Sequence, residues 1–410
     1  MLPFVNSHYL FIISHPICAP GTDKSVLAGV SYFITDAAYN TVAQIQQLRC
    51  KRPDYILPSP NYLYSQLIDP YSTDKGDSEL DFYNKLEKLL LTPNLKIFTW
   101  SVRNLSIIQS IALRTLQDKN LLDNVSNITD INKVLKIHEI FENGQCNPSD
   151  NLIVCAQNYG FKSNPDDNDH KNRLNALKHL VMHLENVNPQ LLKYTLKDRD
   201  MKINEIKDAI NNGACLVDYS SKHHELEILK PILCNDVYLK ANYYDGNLVK
   251  EKYYSFNDAN LLAPVKVLTD KRQQLINIDA KAICSLLDNT PSDNNFNPES
   301  LLIKQKESFT QSDLQFFNEC QSMNKFIIDE APLSCSHDFR EFILRFRGNN
   351  FKKTLIDTEL NQYYKICINE IKKQSKTYSY ELNTLISIDD GKNEKTVKII
   401  NSLISYINDL

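Results

Sequence analysis

The chain has 410 residues, of which 42% are hydrophobic and 23% are charged, and its formal net charge is −4. This length is enough for two or three domains with a sizeable core, and the composition is ordinary for a soluble globular protein. The slightly negative charge excludes an overall basic field, so binding of nucleic acid would need a local patch of Lys and Arg.

The ten cysteines are scattered and form no CxxC pair. Their even number is compatible with disulfide bonds. However, the chain is long and its first residues lack the basic region and apolar core of a secretory signal, so we expect reduced thiols and a cytoplasmic location. No stretch approaches the roughly 18 apolar residues of a membrane span. Glycine is rare, with nine residues, and no Gly-rich phosphate loop is present.

The first structural signal along the chain is the apolar run Tyr9–Ile13, which ends at a bend containing Pro16 and Pro20. Two further runs, VLAGVSYFITD and TVAQIQQL, follow after short turns. Three strand-like runs in succession predict an antiparallel meander. The first run is too apolar for an edge strand, so we expect it in the middle of a sheet.

Alternating helical and strand patterns follow the meander. NLKIFTW is typical of a buried strand, and Ser78 is the expected N-cap of the first helix. The predicted helices are Ser78–Leu91, Asn104–Leu116, Asp130–Glu142 and Asn172–Glu185. Three antiparallel strands followed by this alternation are the order of an RNase-H-like α/β domain, which we assign to residues 1–188.

Beyond residue 188 the pattern changes. Short strands predicted in KPILCNDVYLKANYYDGNL and LAPVKVLTD, with a turn at Asp245–Gly246, indicate a small, mostly-β module over residues 189–300. Residues 301–410 show helical patterns in SDLQFFNECQSM, HDFREFILRFRGN, TELNQYYKICINEIKKQ and KTVKIINSLISYINDL. Ser312 and Thr358 are the expected N-caps there, and Gly348 is expected to end its helix.

This order of domains resembles the bacterial exonuclease I family, and short segments resemble that family in the same order along nearly the whole chain. They are VLAGVSYFITD, DYILPSP, LLAPVKVLTDKRQQLIN, ESFTQSDLQFF and FILRFRGNNFKKTL. The resemblance implies an α/β fold with an RNase-H-like exonuclease domain, a small SH3-like β module and a C-terminal helical domain. It also implies a 3′→5′ exodeoxyribonuclease of DNA repair that degrades single-stranded DNA, with single-stranded-DNA-binding protein as a partner.

The metal ligands that the resemblance implies are not found in this sequence. Two Mg²⁺ ions need several converging carboxylates. The family supplies them as Asp-x-Glu on the first strand, an Asp in the middle of the domain and His-x4-Asp in its last helix. Here those positions fall on Ile13 and His15, near Ser106, and on Asp167 and Asn172, or in a shifted frame on His170 and Asn175.

We therefore expect a degenerate, catalytically inactive relative of exonuclease I, without a metal cofactor, that binds single-stranded DNA or repair partners. Two alternatives stay open. One is an active Mg²⁺-dependent exonuclease whose carboxylates come from other positions. The other is a scaffold protein without affinity for nucleic acid, which the net charge of −4 mildly favours.

Four candidates for contact with DNA lie near the C-terminal end of the chain. Arg345 and Arg347 flank a phenylalanine on a predicted helix, and Lys352 and Lys353 follow it. Alternating cations and aromatic rings can hold phosphates and stack bases. The opposing interpretation is that an arginine pairs with a carboxylate such as Glu341, four residues before Arg345, and holds the helical domain in place.

Trp100 and Arg103 are the other two candidates, because they fall where a strand of the family ends above its active site. Trp100 is the only Trp in the chain, and burial in the core explains it equally well. Four tyrosines of the small β module could line a strand-binding surface or alternate between core and surface. They are Tyr243, Tyr244, Tyr253 and Tyr254.

Two polar clusters contain side chains of the kinds that bind metal ions. The three aspartates before His170, in SNPDDNDH, lack calcium-loop spacing and are equally typical of a polar turn that caps the next helix. His223 and His224 are adjacent, so in a strand they would point to opposite faces. His15 is more typical of a strand end before Pro16 than of a metal ligand. We therefore expect no metal site.

Overall fold

The computed structural model describes most of the chain. The described residues are 8–22, 24–117, 121–125, 127–144, 149–163, 169–197, 199–220, 225–229, 237–244, 247–255, 263–288, 308–323, 328–389, 391 and 393–409. Among them, no helix is both long enough and apolar enough to cross a membrane.

A five-stranded mixed sheet in the order β3-β2-β1-β4-β5 organises the first half of the chain. The strands are β1 (His8–Pro16), β2 (Leu27–Thr35), β3 (Thr41–Arg49), β4 (Leu95–Thr99) and β5 (Ile128–Asp130). β2 pairs antiparallel with both β1 and β3, whereas β4 pairs parallel with both β1 and β5. The predicted meander and the central position of the first strand are therefore confirmed.

Helices cover both faces of this sheet. They are α1 (Pro60–Gln66), α2 (Glu79–Leu90), α3 (Val102–Leu105), α4 (Ile108–Arg114), α5 (Ile131–Asn143), α6 (Leu152–Asn158), α7 (His170–Val187) and α8 (Pro189–Thr195). Phe11 of β1 shares a buried cluster with Leu177 of α7, and Leu10 shares the opposite cluster with Phe82 of α2. Burial on both faces explains why β1 is apolar at successive positions rather than at alternate ones.

One predicted helix of this part is wrong in extent, and four elements were not predicted. Residues 104–116 form the end of α3 and then α4 rather than one helix. Leu105 and Ile107 are both fully buried, although they would lie on nearly opposite sides of one straight helix, and the break lets both face the core. The unpredicted elements α1, β5, α6 and α8 have three to seven residues, which is too short to establish a sequence period.

The next part of the chain is expected to be mostly β, but its described elements include as much helix as strand. Its elements are α9 (Arg199–Asn211), β6 (Leu216–Ser220), β7 (Glu225–Leu229), β8 (Val237–Tyr244), β9 (Asn247–Ser255), β10 (Ala263–Pro264), α10 (Asp270–Leu275) and α11 (Ala280–Asp288). They form a sheet in the order β10-β6-β7 and the hairpin β8-β9. The expected turn at residues 245–246 lies outside the described residues.

The strand expected in LAPVKVLTD is almost entirely absent. Only Ala263 and Pro264 pair with β6, and a 3-10 helix, Val265–Val267, follows at once. Pro264 has no N–H to donate to a further ladder, so the pairing ends there.

The C-terminal part is helical, as the sequence patterns predict. Its helices are α12 (Gln311–Ser322), α13 (His337–Asn350), α14 (Asp357–Ile388) and α15 (Glu394–Asn408). Both N-cap predictions are wrong by two residues. Thr310 caps α12 in a reciprocal pair, since its hydroxyl accepts from the Asp313 amide and the Asp313 carboxylate accepts from the Thr310 amide. α14 begins at Asp357, with Ile356 at the N-cap position.

Gly348 lies inside α13 instead of ending it, so that prediction is also wrong. The helix continues to Asn350. A Cβ atom at Gly348 would lie 2.3 Å from two ring carbons of Tyr363 on α14. The absent side chain therefore serves the close approach of two helices, which no local pattern in the sequence reveals.

The helical part docks on the first domain through two shared cores. One joins Leu57 and Leu63 to residues of α14 and α15, and the other joins Leu80 of α2 to phenylalanines of α12 and α13. Polar contacts reinforce the junction. Lys352 Nζ lies 2.6 Å from Asp54 Oδ2, and the Gln374 side chain bonds the backbone at Leu57 and Tyr55.

Candidate nucleic-acid interface

A cleft of about 430 Å³ opens at the edge of the sheet where the parallel strands β1, β4 and β5 end. Pro16 ends β1, Trp100 and Ser101 follow β4, and Asp130 ends β5; all four line the cleft. Helices α1, α3, α5, α6 and α7 supply most of the remaining wall. This edge of an α/β sheet is where ligands commonly bind, because several loops converge there.

The ionisable side chains that line the cleft are mainly cationic. The cations are Arg103, Lys133, Lys136 and Arg173, and the carboxylates are Asp130 and Asp150. The local charge therefore differs in sign from the net charge of −4 of the whole chain. What each group already contacts decides how much of that positive charge is available to a ligand.

Both carboxylate oxygens of Asp130 accept hydrogen bonds from backbone amides. Its Oδ2 accepts from the Val102 amide at 2.9 Å, and its Oδ1 accepts from the Lys133 amide at 3.0 Å, so it caps α5 and holds the start of α3. The side chain is almost fully buried. That burial raises the pKa of Asp130, against the opposing effect of nearby Lys133. Both oxygens serve to tie α3 to α5.

Asp150 belongs to a second local arrangement. Its Oδ1 lies 2.5 Å from Nζ of the buried Lys136, and its carbonyl oxygen accepts from Trp100 Nε1 at 2.9 Å. The Trp100 side chain itself is only 7% exposed. Trp100 therefore positions the segment that carries Asp150, and Lys136 is neutralised by an exposed carboxylate.

Three cations of the cleft are not neutralised in this way. Arg103, Lys133 and Arg173 form no ion pair within the part of the chain that the structure describes. Arg173 is partly buried, and its Nη1 donates to Gln66 Oε1 at 3.4 Å. Burial lowers the pKa of Arg173 to about 10, with no charged neighbour offsetting it. A guanidinium in this situation favours an anionic partner.

Two helix N-termini add to the positive potential. Lys133 lies in the first turn of α5 and Arg173 is the fourth residue of α7, and neither helix has an acidic residue in its first turn. A helix N-terminus carries about half a positive charge, which disfavours a cation, and here the N-cap carboxylates of Asp130 and Asp169 offset part of that charge.

A histidine pair lies beside the cleft, at the end of β1. The rings of His15 and His170 are 4.6 Å apart, and His15 Nε2 is 2.8 Å from Ser31 Oγ. Both Nδ1 atoms are buried without a hydrogen-bond partner, next to a second cavity of about 350 Å³. Burial, and then the charge of Arg173, holds the pKa of His15 well below its ordinary value. The same two causes lower the pKa of His170.

The described residues at this edge do not fit a Mg²⁺ site. Ile13 is buried in the core, and His15 lies beside the positive charge of Arg173, which disfavours any cation. Within the described ranges, no group of three or more His, Cys, Asp and Glu side chains could hold a metal ion. Asp167 lies outside those ranges. Mg²⁺ requires carboxylate and other oxygen ligands, whereas the charged groups available here are mostly cations.

The structure separates the six predicted DNA-binding residues into two groups. Trp100 and Arg103 line the cleft, and Arg103 is exposed. The other four belong to α13 and the 3-10 helix after it, and they are not part of the cleft lining. They are Arg345, Arg347, Lys352 and Lys353.

Three of those four already bind carboxylates. Arg345 bonds Glu341, as the opposing interpretation expects, and its guanidinium lies 4.9 Å above the Tyr55 ring. Arg347 is buried against Glu359 on α14. Lys352 pairs with Asp54, whereas Lys353 is exposed. These contacts hold helices together, and contact of any of the four with DNA stays a prediction.

The other sequence candidates are only partly described. Asp169 caps α7, since its Oδ1 accepts from the Asn172 amide at 2.6 Å, which agrees with the capping interpretation of SNPDDNDH. Asp166 and Asp167 lie outside the described residues, as do His223 and His224. The side chains of the four tyrosines of β8 and β9 are also outside them.

Sequence reasoning missed most of the cleft. Lys133, Lys136 and Arg173 were not singled out, although one signal was present. Lys133 and Arg173 each follow an expected helix start, where acidic residues are favoured and cations are not. A search for cations at predicted helix N-termini would have found both.

No family model matches this sequence, and no curated protein matches it. The fold, in contrast, matches solved structures of exonuclease I along nearly the whole chain. E. coli exonuclease I in complex with a dA16 oligonucleotide is 15% identical, with a TM-score of 0.76, and the match covers 98% of this chain and 100% of that chain.

Two further structures give the same result. The zinc-ion-bound form of the E. coli exonuclease I–ssDNA complex is 15% identical, with a TM-score of 0.76 over 98% of this chain and 99% of that one. The complex of SSB and exonuclease I with an inhibitor is 14% identical, with the same TM-score and coverage. The predicted fold class is confirmed: an RNase-H-like domain, an SH3-like module and a C-terminal helical domain. At such identities the likeness concerns the fold.

Proposed function

We propose that this protein binds single-stranded DNA in the basic cleft and does not hydrolyse it by a two-metal mechanism. The observation that carries the proposal is the set of three cations, Arg103, Lys133 and Arg173, that converge on the cleft without carboxylate partners among the described residues. Phosphate contacts by Lys and Arg supply most of the affinity of such complexes. The E. coli exonuclease I that shares this fold was solved with a dA16 oligonucleotide.

The chemistry of the cleft supports binding rather than cleavage. A two-metal nuclease surrounds its ions with carboxylates, which also activate the attacking water. Here Asp130 uses both oxygens as a helix cap, and Asp150 neutralises Lys136. A phosphate would therefore meet guanidinium and ammonium groups directly, which is an arrangement for holding an anion.

Binding is tested by fluorescence anisotropy with a labelled single-stranded oligonucleotide across a salt titration. Contacts to between one and three phosphates predict that log Kobs falls with log salt with a slope between about −0.7 and about −2, since each phosphate of a single strand contributes about −0.7. Lys133→Gln should reduce this slope by about 0.7. Lys372→Gln, which removes the same charge from an exposed position on α14, should leave it unchanged.

The absence of hydrolysis is tested separately. Labelled single-stranded DNA is incubated with catalytic amounts of protein and with Mg²⁺ or Mn²⁺, and the products are resolved by length. We expect intact DNA. Release of mononucleotides would instead support the active exonuclease, and failure of every oligonucleotide to bind at low salt would support a scaffold without affinity for nucleic acid.

We also propose single-stranded-DNA-binding protein as a partner, because one structure with this fold is a complex of SSB and exonuclease I. The proposal is tested by titrating purified single-stranded-DNA-binding protein against this protein. We expect saturable binding, and its absence would contradict the proposal.

A further inference from the structure

We propose that the cleft recognises the phosphorylated end of a strand, a terminal phosphomonoester, in preference to an internal phosphodiester. This inference rests on the proposed function and adds the chemical group that the site selects. Internal phosphates carry one negative charge each, whereas a phosphomonoester carries about −1.5 to −2 at neutral pH and offers three acceptor oxygens. The contacts that line the cleft fit the second group better.

The balance of charge is the first argument. Of the four cations that line the cleft, Lys136 is matched by Asp150, and Asp130 is held by two backbone amides. Arg103, Lys133 and Arg173 remain as donors to a ligand. Asp130 keeps its charge when its partners are neutral amides, so the four cations and two carboxylates give the lining a formal charge of +2, which a dianion compensates more completely than a single phosphodiester does.

The second argument is the direction of the helices. α5 and α7, which have 13 and 18 residues, both begin beside the cleft, and each places a cation within its first four residues. The N-terminal amides of both helices are already capped, by Asp130 and Asp169, so the helices contribute by bringing Lys133 and Arg173 to the cleft rather than by free N–H groups.

The third argument is size. A volume of about 430 Å³ lies in the lower half of the range of small-molecule sites and is far from an extended groove for several nucleotides. Tyr62 and Gln66 of α1 also line the cleft. A site for about one nucleotide suits the end of a strand, where the terminal phosphate and one base enter together.

The test compares four forms of one oligonucleotide in the anisotropy assay. They carry a 5′-phosphate, a 3′-phosphate, hydroxyls at both ends, or no end because the strand is circular. We expect one phosphorylated form to bind about tenfold more tightly than the hydroxyl form, since hydrogen bonds to charged groups contribute more than neutral ones. Which form it is identifies the end. The hydroxyl and circular forms should bind alike.

Substitutions of Arg173 test whether this residue recognises the terminal phosphate. Arg173→Gln should abolish the preference for phosphate, Arg173→Lys should restore part of it, and Lys372→Gln should retain it, with circular dichroism confirming the fold of each. Equal affinity for all four forms would overturn the inference while leaving the proposed function standing. A preference that survives Arg173→Gln would place the recognition elsewhere and also overturn it. Loss of binding to every form would contradict the proposed function itself.

Discussion

The substitution Gly348→Ala tests the packing of the C-terminal helices most sharply. Sequence pattern predicts that Gly348 ends its helix, whereas the structure places it inside α13 against Tyr363. A helix-ending glycine and a glycine packed against Tyr363 predict different changes in the free energy of unfolding when Gly348→Ala adds a methyl group. Tyr363 is fully buried, and its hydroxyl lies 3.2 Å from Asn349 Oδ1 and 3.3 Å from Asp54 Oδ2, so the ring cannot simply swing away.

The magnitude follows from three terms. Alanine is favoured over glycine inside a helix by about 1 kcal/mol. A methyl group 2.3 Å from ring carbons is more than an ångström inside contact distance, and such overpacking costs about 1–3 kcal/mol. If the ring moves, its hydroxyl, which shares one hydrogen between two acceptors, loses a hydrogen bond worth about 1 kcal/mol. The gain in helix propensity and the lost hydrogen bond roughly cancel, so we expect Gly348→Ala to lower the free energy of unfolding by about 1–3 kcal/mol.

The assay is urea unfolding followed by far-UV circular dichroism, with the fluorescence of Trp100 as a separate reporter of the first domain. A double-mutant cycle with Tyr363→Leu isolates the contact. In the Tyr363→Leu background the ring is gone, so Gly348→Ala should be neutral or stabilising. Gly160→Ala is the matched control, because Gly160 has a φ of +88° and open space around it, and its cost should not depend on Tyr363.

Equal cost of Gly348→Ala in both backgrounds would refute this reasoning. That result is what a helix-ending glycine in the left-handed conformation would produce, since the cost would then arise from the backbone.

Three further predictions concern ion pairs. Arg345→Ala should lower stability but leave affinity for single-stranded DNA within about twofold in the anisotropy assay, because this guanidinium is held by Glu341 and the Tyr55 ring. Burial raises the pKa of Glu370, but hydrogen bonds from two lysines outweigh it and lower the pKa to about 2. The Glu370 carboxylate therefore contributes about 1–2 kcal/mol to the free energy of unfolding at neutral pH, and this contribution should disappear as the pH falls from about 4.5 to about 2. The urea midpoints of Glu370→Gln and the parent protein should accordingly converge at low pH. Arg114→Met should cost about 3–5 kcal/mol in urea unfolding, since it leaves the carboxylate of Glu79 buried without its partner; a loss below about 1 kcal/mol would contradict this.

The cations of the C-terminal helices and those of the cleft differ in what they contact. Arg347 and Lys352 bind carboxylates on another helix or in a distant part of the chain, and Arg345 binds Glu341 on its own helix. Arg103 and Arg173 instead face the cleft. Cations that appear equivalent in the sequence therefore have different expected effects: stability for the first group and affinity for the second.

The amino-acid sequence by itself determined the elements that depend on neighbours a few residues apart. The continuous apolar run of β1 specified a strand buried on both faces. Ser78 specified the start of α2, because its hydroxyl accepts a hydrogen bond from the Asp81 amide. It also determined that Ile13 and His15, rather than carboxylates, occupy the end of the central strand.

Only the tertiary structure decided what depends on groups far apart in the chain. Arg103, Lys133 and Arg173 meet in one cleft because β1, β4 and β5 end at the same edge and α3, α5 and α7 begin or lie beside it. Gly348 is required by Tyr363, a residue on another helix, and not by a turn of its own. Local patterns encode conformation over a few residues, whereas a binding site and a close helix contact arise from long-range packing.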